Sequence, residues 1–183
     1  MRRLPWLLLC VLALLPITVT AADIRQADHV WQGRDRLLAR MELAMNLPEV
    51  LVDALANGVG VNFRSEVRLE YRRGVFGERT VAEAHRRVRL EYYALSRHYV
   101  VKDLDQQRVD LAPTLGDGLE MLARRLGRVV LEVPPETILP GVGYSLAARV
   151  MLDHSALPLP LQWDARLRGA YMTQMGWYRW PLE

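Results

Sequence analysis

From Val59 to Tyr71 the chain alternates with a period of two. The odd positions are Val59, Val61, Phe63, Ser65, Val67, Leu69 and Tyr71, and between them stand Gly60, Asn62, Arg64, Glu66, Arg68 and Glu70. Successive side chains of an extended strand point to opposite faces, so one face here is apolar and the other charged. That is the pattern of a half-buried antiparallel strand. After Arg73-Gly74-Val75-Phe76-Gly77-Glu78 the alternation resumes with the parity reversed. Ala82, Ala84, Val88, Leu90, Tyr92 and Ala94 form the apolar side, with Arg86 the exception, against Glu83, His85, Arg87, Arg89 and Glu91.

The two runs predict a hairpin that matches outward even positions to outward odd ones. Cross-strand charge then selects a register. Setting Arg64 opposite Glu91, Glu66 opposite Arg89, Glu70 opposite His85 and Arg72 opposite Glu83 leaves Arg68 and Arg87 as the like-charged pair. Setting Arg64 against Arg89 and Glu70 against Glu83 places more like charges face to face, which is unfavourable. The first register is the expectation.

Coarser signals fill the rest. Asp23–Gln32 and Leu37–Leu47 read as strands joined through Gly33-Arg34-Asp35, the second with Leu37, Ala39, Met41, Leu43 and Met45 on one face. Asn46 offers a helix cap, Pro48 suits a first turn, and Gly58 a stop. A short helix from Pro48 to Asn57 would bury Val50, Leu51, Ala54 and Leu55. Tyr99–Leu104 and Arg108–Leu111 read as short strands around Asp105-Gln106. Thr114 caps a second helix that ends at Gly127, with Leu115, Leu119, Leu122 and Leu126 facing the core. Val129–Val133 reads as a strand, and Tyr144, Leu146, Ala148, Val150 and Leu152 line one face of another. The expected class is mainly β (α+β), an antiparallel β-sandwich or curved sheet with two short helices.

The N-terminus speaks to compartment. Arg2 and Arg3, the apolar run Leu4–Ile17 and the small residues Thr18-Val19-Thr20-Ala21-Ala22 follow one another as in a secretory signal peptide. The run is short for a membrane span, which needs about 20 residues. Cleavage is expected after Ala21 or Ala22, leaving residues 23–183 as a single periplasmic domain. Cys10 follows Leu9 inside the apolar run, not a small residue at its end, and so reads as part of the leader, not a lipid-attachment site. The mature chain then has no thiol chemistry, and its roughly 160 residues bury enough surface for an ordinary core. The formal charge of +3 falls to +1 once Arg2 and Arg3 leave, which gives no argument for nucleic acid. Lys102 is the lone lysine, and the arginines read as solvated strand faces paired with glutamates.

Candidate chemistry is sparse. Asp153-His154-Ser155 holds the residue types of a hydrolase triad, but neighbours on an extended chain point apart and cannot form one. No Gly-x-Ser-x-Gly elbow raises a serine. His29, His85, His98 and His154 are isolated, without metal-ligand spacing. Gly141-Val142-Gly143 follows Pro140 and lacks the helix of a dinucleotide fingerprint. No catalytic residue, metal or cofactor is expected, and the chain reads as a non-enzyme.

Tyr92 falls on the apolar face as a core residue; Tyr93, on the opposite face, is a contact candidate. The tail gathers Tyr171, Met172, Met175, Trp177, Tyr178 and Trp180, aromatic and Met residues of the kind enriched in interface cores. It either closes the sandwich as a last strand or meets a partner; a membrane surface has only Arg166, Arg168 and Arg179 to support it. His154-Ser155-Ala156-Leu157-Pro158-Leu159-Pro160-Leu161-Gln162-Trp163 reads as an edge strand. Its three leucines face the core, and its prolines remove donors along one edge.

Tyr92-Tyr93-Ala94-Leu95-Ser96-Arg97-His98-Tyr99-Val100-Val101, Leu152-Asp153-His154-Ser155-Ala156-Leu157-Pro158-Leu159-Pro160-Leu161 and the Trp-rich tail resemble a family of signal-peptide-bearing proteobacterial proteins known as a domain of unknown function. The resemblance covers most of the mature chain through its LSxxYxV and LDxxxLPLPL segments. Gly176-Trp177-Tyr178-Arg179-Trp180-Pro181 departs from the Trp-Arg-Leu-Ser-like segment of the family. The resemblance implies no established activity. By gene association alone it implies a periplasmic accessory of a two-component system, whose partner is the periplasmic region of a nitrogen-type sensor histidine kinase. The expected function is a periplasmic binding or regulatory domain working through a sheet edge or the aromatic tail. The alternative is a carrier for a small apolar or lipid-like ligand held between helices and sheet.

Overall fold

The computed structural model describes residues 22–72, 77–153 and 176–182. Residues 1–21, 73–76 and 183 and the segment 154–175 lie outside the described residues. With that segment go the proline-leucine stretch, His154 of the triad-like run, Tyr171, Met172 and Met175.

Strand β1 (Ala22–Trp31) turns into β2 (Arg36–Met45) through Gly33. Gly33 takes φ +83°, a left-handed conformation glycine adopts without a Cβ clash. The chain then forms helix α1 (Glu49–Ala56), strands β3 (Val61–Arg72), β4 (Glu78–Tyr93), β5 (His98–Asp103) and β6 (Arg108–Ala112), and helix α2 (Leu115–Leu126). Strands β7 (Arg128–Glu132), β8 (Tyr144–Asp153) and β9 (Tyr178–Pro181) complete it. The strands form two antiparallel sheets, a three-stranded one in the order β1-β2-β7 and a six-stranded one in the order β6-β5-β4-β3-β8-β9. The molecule is mainly β, as the alternation requires.

Two apolar pools fill the interior. At one end α1 and α2 lay Leu51, Leu55, Leu122 and Leu126 over Val61, Phe63, Val88 and Leu90 of the large sheet. At the other end the small sheet sits directly on the large one, Leu37, Ala39 and Leu131 meeting Val67, Leu69, Leu146 and Trp180. The inward residues of β3 and β8 named by the alternation are buried, Tyr144, Val150 and Leu152 among them, except Tyr71 near the end of β3, which is half-buried.

Both helices begin and end for local reasons. Thr114 Oγ1 accepts from the Asp117 amide at 3.1 Å and caps α2. At the other end of α2, the Gly127 carbonyl accepts from the Met41 amide at 2.8 Å, an approach so close that a Cβ on Gly127 would strike the Met41 carbonyl oxygen. Helix α1 departs from expectation. Pro48, not Asn46, occupies the cap position, and no side chain caps the helix. Leu47 is already buried there, which carries the extended chain inward before the first turn, and the Pro48 carbonyl accepts from Leu51 and Val52 instead.

The β3–β4 register also departs. Arg64 faces Arg87, Glu66 faces His85 and Arg68 faces Glu83; past an irregularity at Leu69/Glu70, Arg72 faces Glu78. The expected pairing of Arg64 with Glu91 does not occur. β3 has a neighbour on each side, and Glu66 meets its cation, Arg149, across β8. Arg87 is held by Asp105 in the β5–β6 turn at 2.7 Å, and Arg89 by Glu91 on its own strand. With Glu66, Arg87 and Arg89 paired elsewhere, inward pairs such as Phe63 with Val88 and Val61 with Leu90, together with the bulge, set the register.

Candidate functional site

Three surfaces on this frame gather polar or apolar groups beyond the needs of folding. The first is the outer face of β3 and β8. Glu66, on the charged side of β3, is nevertheless buried. It accepts from Arg149 at 2.7 Å and from Arg68 at 3.2 Å, and Arg68 reaches on to Glu83 at 3.4 Å. Burial pushes the Glu66 carboxyl up, but the Arg149 hydrogen bond and the charges of Arg149, Arg68 and Arg64 outweigh it and hold the group below the usual carboxylate range. The Trp177 ring lies against both guanidiniums, Arg68 at 4.4 Å and Arg149 at 4.5 Å from its centroid.

From there the tail enters the fold. β9 adds to the free side of β8, Trp180 inserts into the sheet-on-sheet pool, and Tyr178 packs against the same pool. Arg179, pointing the other way, bridges Glu78 at 2.7 Å and Glu70 at 3.5 Å. Of the tail aromatics among the described residues, Trp177 is the one on the outer face.

The second surface is the corner of β4, β5 and β6. Tyr93 is 47% exposed, and with it on the outer side stand Val109 and Leu111, at 56% and 63%, beside the fully exposed Leu95 of the β4–β5 turn. Lys102 ties this corner together, donating to Glu91 at 2.6 Å and to the Tyr93 hydroxyl at 3.1 Å. Those two bonds raise the Lys102 ammonium above its ordinary value. Burial raises Glu91, but its bonds and charges with Lys102 and Arg89 prevail and hold it low. β6 pairs with β5 on one side and has no strand on the other among the described residues. The structure does not bring Tyr93 and Trp177 together. Arg68, under Trp177, faces Glu83, ten positions from Tyr93 along β4, about 33 Å of extended chain.

The third surface is a cleft of about 590 Å³ between the end of α2, β7 and the β5–β6 hairpin, lined by Arg86, Arg108, Arg124, Arg125 and Arg128. Arg86, the exception on the apolar side of β4, turns inward onto Asp103 at 2.5 Å, where the carboxylate is 1% exposed. It also donates to the Arg128 carbonyl of the small sheet at 3.3 Å and so spans the seam between the sheets.

Among the described residues no three His, Cys, Asp or Glu side chains converge as metal ligands. Asp153 ends β8 opposite Asn62. No helix among the described residues is long and apolar enough to cross a membrane.

The frame and its surfaces define a two-sheet β domain whose features are edges, charged faces and an arginine cleft. Residues 20–181 match the model of the domain of unknown function DUF4390, and the chain belongs to that family. No curated protein and no solved structure matches the chain.

Proposed function

We propose that this chain is a non-catalytic binding or regulatory domain of the bacterial envelope that engages a protein partner through the open edge of β6. The observation that carries the reading is the exposure of Val109 and Leu111 on an edge strand, next to Tyr93 and Leu95. An added strand would take main-chain hydrogen bonds from β6 and seat its side chains on that apolar corner. Two of the other three sheet ends are less inviting. β1 is bulged at Ile24/Gln26, and β9 runs only Tyr178–Pro181 and ends in a proline.

Envelope location is supported by the leader-like residues 2–22, and the family match starts at residue 20, within their small-residue stretch. Ala22 is already buried in β1 opposite Met45, which favours cleavage after Ala21 over Ala22. The family resemblance makes the periplasmic region of a sensor histidine kinase the first partner to test. The carrier alternative is less well supported, because Leu55, Leu122 and Leu126 are fully buried and fill the space between helices and sheet.

The test is binding of the purified mature chain to that kinase region. The wild type should bind saturably, and Val109→Asp/Leu111→Asp should weaken binding at least about tenfold with an unchanged melting temperature. Equal binding by the variant would remove β6 as the contact.

A further inference from the structure

The arginine cleft stands apart from the β6 edge reading and supports a separate binding site. Arg86 is neutralised by Asp103, Arg125 by Asp110 and Arg124 by Glu120. Arg108 reaches only the already engaged Asp110, at 3.6 Å, with its side chain 64% exposed. Arg128 makes no ion pair among the described residues. Against these five arginines stand three carboxylates, one of them Asp110 in the cleft lining itself, so a surplus of two positive charges rests on Arg108 and Arg128. They come from β6 and β7, in different sheets, so the fold and not a local run of sequence brings them together.

The lining contains more than charge. Leu38, Met121 and Val130 form apolar wall, and Gln32 and Gln106 supply side-chain amides. A volume near 590 Å³ is that of a small-molecule site. Guanidiniums present planar forks of donors that match the oxygens of phosphate or carboxylate, and a surplus of two positive charges balances a dianion.

We infer that this cleft binds a phosphomonoester carried on a small apolar body, with Arg108 and Arg128 on the phosphate and Leu38, Met121 and Val130 against the body. The same head group occurs on free phosphorylated molecules and on lipids such as phosphatidic acid.

Calorimetric titration of the mature chain with phenyl phosphate and with inorganic phosphate tests the site. Phenyl phosphate should bind saturably and more tightly than inorganic phosphate, because only it reaches the apolar wall. Arg108→Gln/Arg128→Gln should weaken it at least about tenfold and leave the melting temperature unchanged or higher, since it removes unneutralised charge. Arg25→Gln, an exposed arginine of β1 outside the cleft, should bind as wild type. Vesicles of phosphatidylcholine containing phosphatidic acid identify the source. Capture that phenyl phosphate competes away assigns a lipid head group, and no capture assigns a free ligand. Absence of saturable phenyl phosphate binding, or the same weakening in Arg25→Gln, overturns the inference.

Discussion

The two faces of β3 were drawn by one alternation and obey different rules. Inward, Val61, Phe63, Val67 and Leu69 are essentially without solvent exposure and meet partners of fixed shape. Outward, Glu66 and Arg68 reach β8, β4 and the tail, and each of the two has more than one ionic partner. Shape complementarity on the inner face selects a single register, because a core tolerates neither void nor overlap. Charge on the outer face adapts to whatever register results. The expected Arg64–Glu91 pairing failed for that reason: it assigned to the adaptable face a decision made by the rigid one.

The comparison predicts a steep difference in mutational cost. Phe63→Ala, at the centre of the helix-covered pool with 1% exposure, should lower unfolding free energy by about 4 kcal/mol, read by urea denaturation. A loss under about 1 kcal/mol would mean that the inner face is not the rigid partner.

Between the extremes stands Arg86, a charge on the inner face. Asp103→Ala strands its guanidinium against the sheet seam and also removes the acceptor of the Asp105 and Gln106 amides at 3.1 and 2.9 Å. The expected loss is about 3 kcal/mol. Adding Arg86→Met should recover part of it, since the stranded charge is then gone. If the double variant is no better than Asp103→Ala alone, the carboxylate acts through the turn and not through Arg86.

The sequence pattern made faces, element order and the Thr114 cap legible because each follows from neighbours in the chain. It even singled out Arg86 as the polar intruder. Convergence across elements is a different matter. Arg108, Arg124, Arg125 and Arg128 each sit where a solvated arginine is ordinary, and only the passage of α2 from one sheet to the other gathers them. The Arg124–Arg128 spacing was the available hint. Val109 and Leu111 alternate as core residues do; their exposure depends on β6 being last in its sheet, a fact of strand order. Tyr93 was legible by parity, whereas Leu95 stands in a turn closed by Arg97 at φ 54°, where alternation has no meaning.

The smallest effect belongs to Glu66, and its pH dependence separates charge from shape. Glu66→Gln keeps the side-chain volume and removes the charge that Arg149, Arg68 and Arg64 share. At neutral pH it should cost about 1 kcal/mol, between an exposed and a fully buried pair. The folded-state carboxyl sits below its ordinary value, so its contribution is complete above the unfolded carboxylate value of about 4.3. It is lost as pH falls from there through the lower folded value, because protonation then costs the folded state its ion pairs. Wild type and Glu66→Gln should therefore differ at pH 7 and converge in acid. A gap that persists unchanged at acid pH would place the role of Glu66 in packing beneath Trp177, and the outer face would then be as rigid as the inner one.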